Sequence, residues 1–213
     1  MPLTPAILPD LIQAAMASID AHAEEVTRLD QTLGDGDHVT NLQRGLKALS
    51  AQGSELASLT DWSQALQKIA MTVMSQVGGA SGSLYGTLFM AMSKHLKGKP
   101  VDFVAFAEAF HAGVEAMKQR GRSDVGEKTM LDTLVPVAHF LRQAAAEGMP
   151  VAKVLIQVKE VATAGMESTR DMLATKGRAS YLGERTRGIV DAGARTSQLM
   201  ICAIADRLAG ELG

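Results

Sequence analysis

The sequence predicts an all-α protein, a bundle or helical barrel of about eight amphipathic helices joined by loops, and three observations carry that reading. Aromatic residues make up only 4% of the 213, so residue types that favour strands are scarce. Alanine is abundant and methionine occurs 12 times, and both are good helix formers. No long β-branched run alternates with polar residues; apolar side chains recur instead at steps of three and four.

The first helix is expected from about Asp10 to Leu29, where Ile12, Met16, Ile19, Ala23 and Val26 form one stripe. A short second one holds Leu42, Leu46 and Leu49. The third begins at Asp61, a capping residue with Gln64 three positions on, and runs through Leu66, Ile69, Val73 and Val77 until Gly78 and Gly79 stop it. A fourth carries Leu84, Leu88, Met92 and Leu96; a fifth, after Asp102, carries Phe103, Phe106, Phe110, Val114 and Met117. Polar residues from Gly121 to Lys128 close that pair. The sixth, roughly Met130 to Glu147, contains Pro136, which must sit in its first turn or kink it. The seventh is expected from about Pro150 to Ala174. The last, from about Ala194 to Leu212, follows a Gly- and Arg-rich loop.

Hydrophobic residues at 46% allow one sizeable core, and a single domain over residues 1–213 is expected. The balance of 21 Lys plus Arg against 23 Asp plus Glu lacks the basic excess of a nucleic-acid binder. One cysteine, Cys202, excludes an internal disulfide and fits a reducing, cytoplasmic setting. Pro2, Pro5, Pro9 and Asp10 interrupt the start, so no secretory signal is expected. The uncharged run from Ile69 to Ser93 contains Gly78, Gly79, Gly82 and Gly86, which favours a helix–loop–helix passage over a membrane span.

The strongest chemical signal is Leu29-Asp30-Gln31-Thr32-Leu33-Gly34-Asp35-Gly36-Asp37-His38. Three carboxylates crowded behind an amphipathic helix repel one another unless a divalent cation makes the cluster favourable. Gly34 and Gly36 are expected to free the backbone, through positive φ, to aim Asp35 and Asp37 at one point. Oxygen ligands suit magnesium or calcium better than zinc. An EF-hand is excluded, because Val39, Thr40 and Leu46 stand where its ligand, glycine and terminal glutamate belong. Magnesium held jointly by protein and phosphates is the reading we adopt; a solvated acidic turn is the alternative.

Phosphate also needs backbone amides, which glycine-rich loops ahead of helices supply. Val77-Gly78-Gly79-Ala80-Ser81-Gly82 fits that use, with an ordinary interhelical turn as the alternative. The segment Gly121 to Thr129 looks like a Walker loop but has an extra residue before Lys128 and no strand ahead of it, so that assignment is rejected. A third loop, Lys176 to Arg185, then Asp191-Ala192-Gly193-Ala194, brings arginines that either neutralise phosphate or sit as a solvated surface. His22, His95, His111 and His139 fall within expected helices and carry no assigned role.

Together, Gly34 to His38, Gly78 to Gly82, Gly126-Glu127-Lys128-Thr129-Met130 and Gly177 to Arg185 resemble, in order, the blocks of the L subunits of dihydroxyacetone kinase. That resemblance implies a barrel of eight antiparallel helices with the nucleotide at one end. It implies that Asp30, Asp35 and Asp37 ligate two magnesium ions, and that His38, Val39, Thr40, Asn41, Ala80, Ser81, Gly121, Met130, Arg178, Asp191, Ala192 and Gly193 contact ADP or ATP. No residue of this chain is assigned as catalytic in its own right. Three departures stand out: Val39 where the family usually has Gly, Ala192 where Asp-Pro-Gly-Ala is usual, and Glu127 for an Asp. A bulkier side chain beside His38 and a looser loop before Gly193 are expected to raise the nucleotide off-rate.

The resemblance further implies phosphoryl transfer to a ketose bound on a separate K subunit, as part of glycerol metabolism. The nucleotide would be rephosphorylated in place by a phosphohistidine M subunit of the phosphotransferase system, an arrangement that a free-standing L-type chain favours. Alternatives are an ATP-dependent kinase of a related ketose such as erythrulose, a non-enzymatic nucleotide sensor that binds a regulator, and a plain helical scaffold. Self-association is compatible with the sequence.

Overall fold

Asp61 and Asp102 start helices as their chemistry allows: each carboxylate accepts a first-turn amide, from Ser63 at 2.7 Å and from Ala105 at 2.7 Å. In the computed structural model, which describes residues 4–211, the chain forms ten α-helices. They are α1 (Leu8–Ala21), α2 (Ala23–Leu33), α3 (His38–Ala51), α4 (Gly53–Ser58), α5 (Trp62–Gln76), α6 (Gly79–Leu96), α7 (Phe103–Gly121), α8 (Leu131–Ala146), α9 (Val151–Ser168) and α10 (Ala192–Gly210). A 3-10 turn over Pro5–Ile7 leads into α1, and a 3-10 stretch over Arg178–Thr186 lies between α9 and α10. Pro2 and Leu212, the expected end of the last helix, lie outside the described residues.

These helices make eight rods. His22 (φ −111°, ψ 12°) divides the first expected helix into α1 and α2, and Gln52 (φ −96°, ψ 7°) separates α3 from α4. The rods close a ring: α1 packs on α3, α3 on α5, each later helix on its successor, and α10 on α1. Successive rods run antiparallel, with only α9 and α10 joined by a long connection, so the fold is the up-and-down helical barrel expected. Its main core joins α1 to α8 with α10 around Ile19, Val26, Leu56, Met117 and Leu134, all nearly or fully buried. A second cluster around Ala107, Val137, Val154 and Ala162 seats α9 on α7, α8 and α10. Among the described residues no helix is long and apolar enough to cross a membrane, and the uncharged run is divided between α5 and α6.

One expectation is narrowed and one corrected. Of the two outcomes expected for Pro136, a place in the first turn is excluded: it lies further into α8, inside the helix. Its missing amide leaves the Asp132 carbonyl without its usual donor one turn on, and that carbonyl faces Gly165 of α9, where a Cβ would come within 2.5 Å. The seventh helix ends at Ser168 rather than near Ala174. There the Thr169 hydroxyl donates to the Met166 carbonyl (2.7 Å), and the Arg170 carbonyl accepts from Gly188 (2.8 Å), so tertiary partners replace the next helical turn.

Because the rods alternate in direction, the N-termini of α3, α6, α8 and α10 and the C-termini of α2, α5, α7 and α9 share one end of the barrel. The four sequence blocks singled out above all lie at the connections on that end.

Candidate functional site

Asp30 sits in the last turn of α2, and Asp35 and Asp37 follow in the loop to α3. One carboxylate oxygen from each lies within 4.8 Å of the others. The two glycines between them do different work. Gly36 has φ 78°, a left-handed turn that glycine adopts without strain. Gly34 does not share that conformation (φ −143°); it is needed for room, because a Cβ there would lie 2.5 Å from Asp30 Oδ1. The expectation of positive φ thus holds for Gly36 alone.

The His38 amide donates to Asp30 Oδ2 at 3.0 Å and aims that carboxylate. The exposed Arg178 guanidinium, from the 3-10 stretch, meets Asp35 Oδ2 at 2.8 Å. Oxygen donors alone, partly exposed and converging, match a hard divalent cation such as magnesium. Single-sign crowding of this kind is otherwise unfavourable, and one arginine offsets it only in part.

His38 links three helices. Its Nε2 lies 2.9 Å from Thr196 Oγ1, and its Nδ1 lies 3.3 Å from Ser81 Oγ. The Thr196 hydroxyl directs its single proton to the Gly193 carbonyl (3.1 Å), so it must accept from His38 Nε2–H. That assignment leaves Nδ1 to accept from Ser81. Burial lowers the His38 pKa against the pull of Asp30, Asp37 and Asp35, which agrees with a neutral ring. A parallel chain runs from Tyr85 OH to Ser197 Oγ (2.8 Å) and on to the Gly193 carbonyl (2.7 Å); burial raises the Tyr85 pKa to about 12 and keeps the phenol protonated.

Around this frame the other expected residues take different places. Gly193 abuts Met130, and Asp191 caps α10 by accepting the Ala194 amide at 2.7 Å. Asn41 Oδ1 accepts from Arg44 (2.8 Å), whose Nε donates to the last carbonyl of α5, Gln76 (2.7 Å). Ala80 and Thr40 are exposed, and neither N-cap residue of α3 or α6 caps its helix with a side chain, so the first-turn amides, apart from the His38 amide held by Asp30, are open to a ligand. The side chains of Val39 and Ala192 lie in the hydrophobic core. Gly121 ends α7 at the same end of the barrel, beside Leu84. Sequence reasoning passed over Thr196, Ser197 and Tyr85; the signal available was a set of polar residues at buried helical spacing.

Fold and site together define an antiparallel helical barrel with a cluster of three carboxylates beside helix N-termini. The model for the DAK2 domain matches residues 32–206, with Asp30 just ahead of it, and the chain belongs to that family. It is 40% identical over 188 residues to a PEP-dependent dihydroxyacetone kinase ADP-binding subunit of Listeria innocua, covering 87% of this chain and 88% of that one. It is 39% identical to a PTS-dependent dihydroxyacetone kinase ADP-binding subunit of Lactococcus lactis, covering 81% of each. It is 35% identical to the PEP-dependent subunit of Escherichia coli, covering 86% and 87%. The crystal structure of the dihydroxyacetone kinase of C. freundii superposes with a TM-score of 0.74 at 23% identity, covering 97% of this chain and 35% of that one; this likeness concerns the fold alone.

Proposed function

We propose that this chain is the nucleotide-binding subunit of a dihydroxyacetone kinase, a single domain holding ADP or ATP with two magnesium ions on Asp30, Asp35 and Asp37. The observation that carries the reading is the convergence of these carboxylates beside the open N-termini of α3 and α6. Magnesium bound there supplies charge neutralisation for a transferring phosphoryl group. The chain's own residues do the placing. His38 directs Asp30 through its amide and, as a neutral ring, ties α3 to α6 and α10. The amides at Ala80 and Ser81 would hold phosphate oxygens, and Met130, Asn41 and the Asp191 to Gly193 turn would form the walls of the nucleotide site. Arg178, released from Asp35, neutralises phosphate charge.

The acceptor, dihydroxyacetone, is held on a separate K subunit docked at this end of the barrel. The donor we propose is the phosphotransferase system, acting through a phosphohistidine M subunit in the cytoplasm. Supporting this, relatives that match over most of their length are named PEP- or PTS-dependent. A second reading, ATP-dependent exchange, draws on 32% identity to the triokinase/FMN cyclase of Mus musculus, of which this chain spans 34%.

The test is retention. ADP is expected to survive purification, and Asp35→Asn or Asp37→Asn is expected to abolish that retention with the far-UV circular dichroism unchanged. Nucleotide binding that persists in both variants overturns the magnesium site. Rapid exchange of the resident nucleotide with labelled ATP favours the second reading; conversion of bound ADP to ATP by a phosphohistidine donor, without exchange, favours the first.

A further inference from the structure

Lys128 is the largest fully buried side chain among the described residues, and it stands at φ 59° in the segment between α7 and α8. Its ammonium group does not point to the acid cluster's ligands. It donates to the main-chain carbonyls of Thr169, Arg170 and Ile189. Three donors meet three acceptors, so the group is fully used. Two of those carbonyls lie at the end of α9, and the third lies in the turn that leads to Asp191. The same segments are joined by the Asp191 amide on Thr169 Oγ1 (2.9 Å) and the Gly188 amide on Arg170 O (2.8 Å).

Burying an ammonium group is costly unless its hydrogen bonds are met, so a lysine here needs a return that a packed methionine would not give. Burial lowers its pKa, while the charges of Asp191, Asp171 and Asp132 favour the cation. The return visible in the structure is geometric. One side chain ties two backbone segments, the end of α9 and the turn that leads to Asp191, to its own segment, in which Met130 packs against Gly193.

We propose that Lys128 is a positioning residue for the nucleotide site, holding the carbonyls of Thr169, Arg170 and Ile189 so that the Asp191 to Gly193 turn and Met130 keep their places. This rests on the nucleotide-binding reading above. The experiment is titration calorimetry of magnesium-ADP into nucleotide-stripped protein, well below its melting temperature. Lys128→Met preserves length and removes all three donors; its Kd is expected to rise roughly ten- to a hundredfold, as when outer-shell partners of a site are removed. Amide exchange at Gly188 and Asp191 is expected to quicken in parallel. A lysine that merely stabilised the fold would lower Tm and leave Kd unchanged, and that outcome overturns the proposal.

If Lys128→Met does not fold, Lys128→Gln decides, because its shorter amide keeps a polar group at the buried position but cannot reach all three carbonyls. A weaker Kd supports the positioning role, and an unchanged one overturns it. Wild-type protein that binds no magnesium-ADP overturns the nucleotide reading itself. Wild-type binding with unaffected variants overturns only the role of Lys128.

Discussion

Asp191 offers a stability test whose size follows from its surroundings. Burial raises its pKa from 3.8 to about 6, with the Asp132 charge adding to the rise and the Ala194 amide opposing it. Between those values the native state keeps a proton that the unfolded chain has lost. The stability this contributes is complete below the unfolded pKa and is lost as pH rises through about 6. A shift of about two pKa units corresponds to about 3 kcal/mol, of which about 2 kcal/mol falls between roughly pH 4.5 and pH 7.5. Asp191→Asn keeps an acceptor for the Ala194 amide and removes the charge. Relative to wild type, the variant should therefore gain about 2 kcal/mol on moving from acid to neutral pH. Urea unfolding of nucleotide-free protein with a chelator, followed by far-UV circular dichroism at both pH values, measures it. In melting temperature the gain is about 4–8 °C for a chain of this size. A difference between variant and wild type that stays constant across the range would refute the burial argument.

Two further substitutions test packing. Gly165→Ala places a Cβ 2.5 Å from the Asp132 carbonyl and 3.0 Å from Thr133 Cα. Because both obstacles are backbone, α8 and α9 must part, and we expect a loss of about 1–3 kcal/mol; an unchanged Tm would show that they separate freely. Val39→Gly removes a side chain only 4% exposed and adds a helical glycine, so it should cost about 2–4 kcal/mol. Since Val39 faces the core, the rate of nucleotide release should not change. A slower release in the glycine variant would restore the expectation drawn from sequence.

Val39 also shows where sequence reading stops. The residue adjoins His38 in the chain, so a bulky side chain beside the site was a fair expectation. In α3, however, neighbouring positions point in different directions, and the core takes this one. Features set by local chemistry were legible: the caps at Asp61 and Asp102, the breaks at Gly78 and Gly79, and the acid cluster itself. Features set by distant partners were not. His38 meets Thr196 across the barrel, and Lys128 reaches Thr169 and Ile189. The apolar pattern of α9 runs on through Met172 and Leu173, so nothing local marks its stop at Ser168. Gly34 belongs between the two cases: the glycine was noticed, but its reason was the Asp30 carboxylate in space.

The behaviour of the aspartates at helix starts ties these strands together. Asp61, Asp102 and Asp191 each occupy an N-cap position and accept an amide of their own first turn. Asp37 occupies the same position at the start of α3 and makes no such bond. An N-cap of this kind is worth about 1 kcal/mol, so α3 forgoes stability that an aspartate could supply in place. What its carboxylate does instead is stand within 4.8 Å of those of Asp30 and Asp35, where like charge adds a second cost. Arg178 relieves only Asp35, from an exposed position where an ion pair is weak. A bound divalent cation would reverse the sign of the second cost. It would leave the amides of α3 beyond His38 free for an anion, so the two concessions at Asp37 are coherent as provision for a cation and a phosphate together.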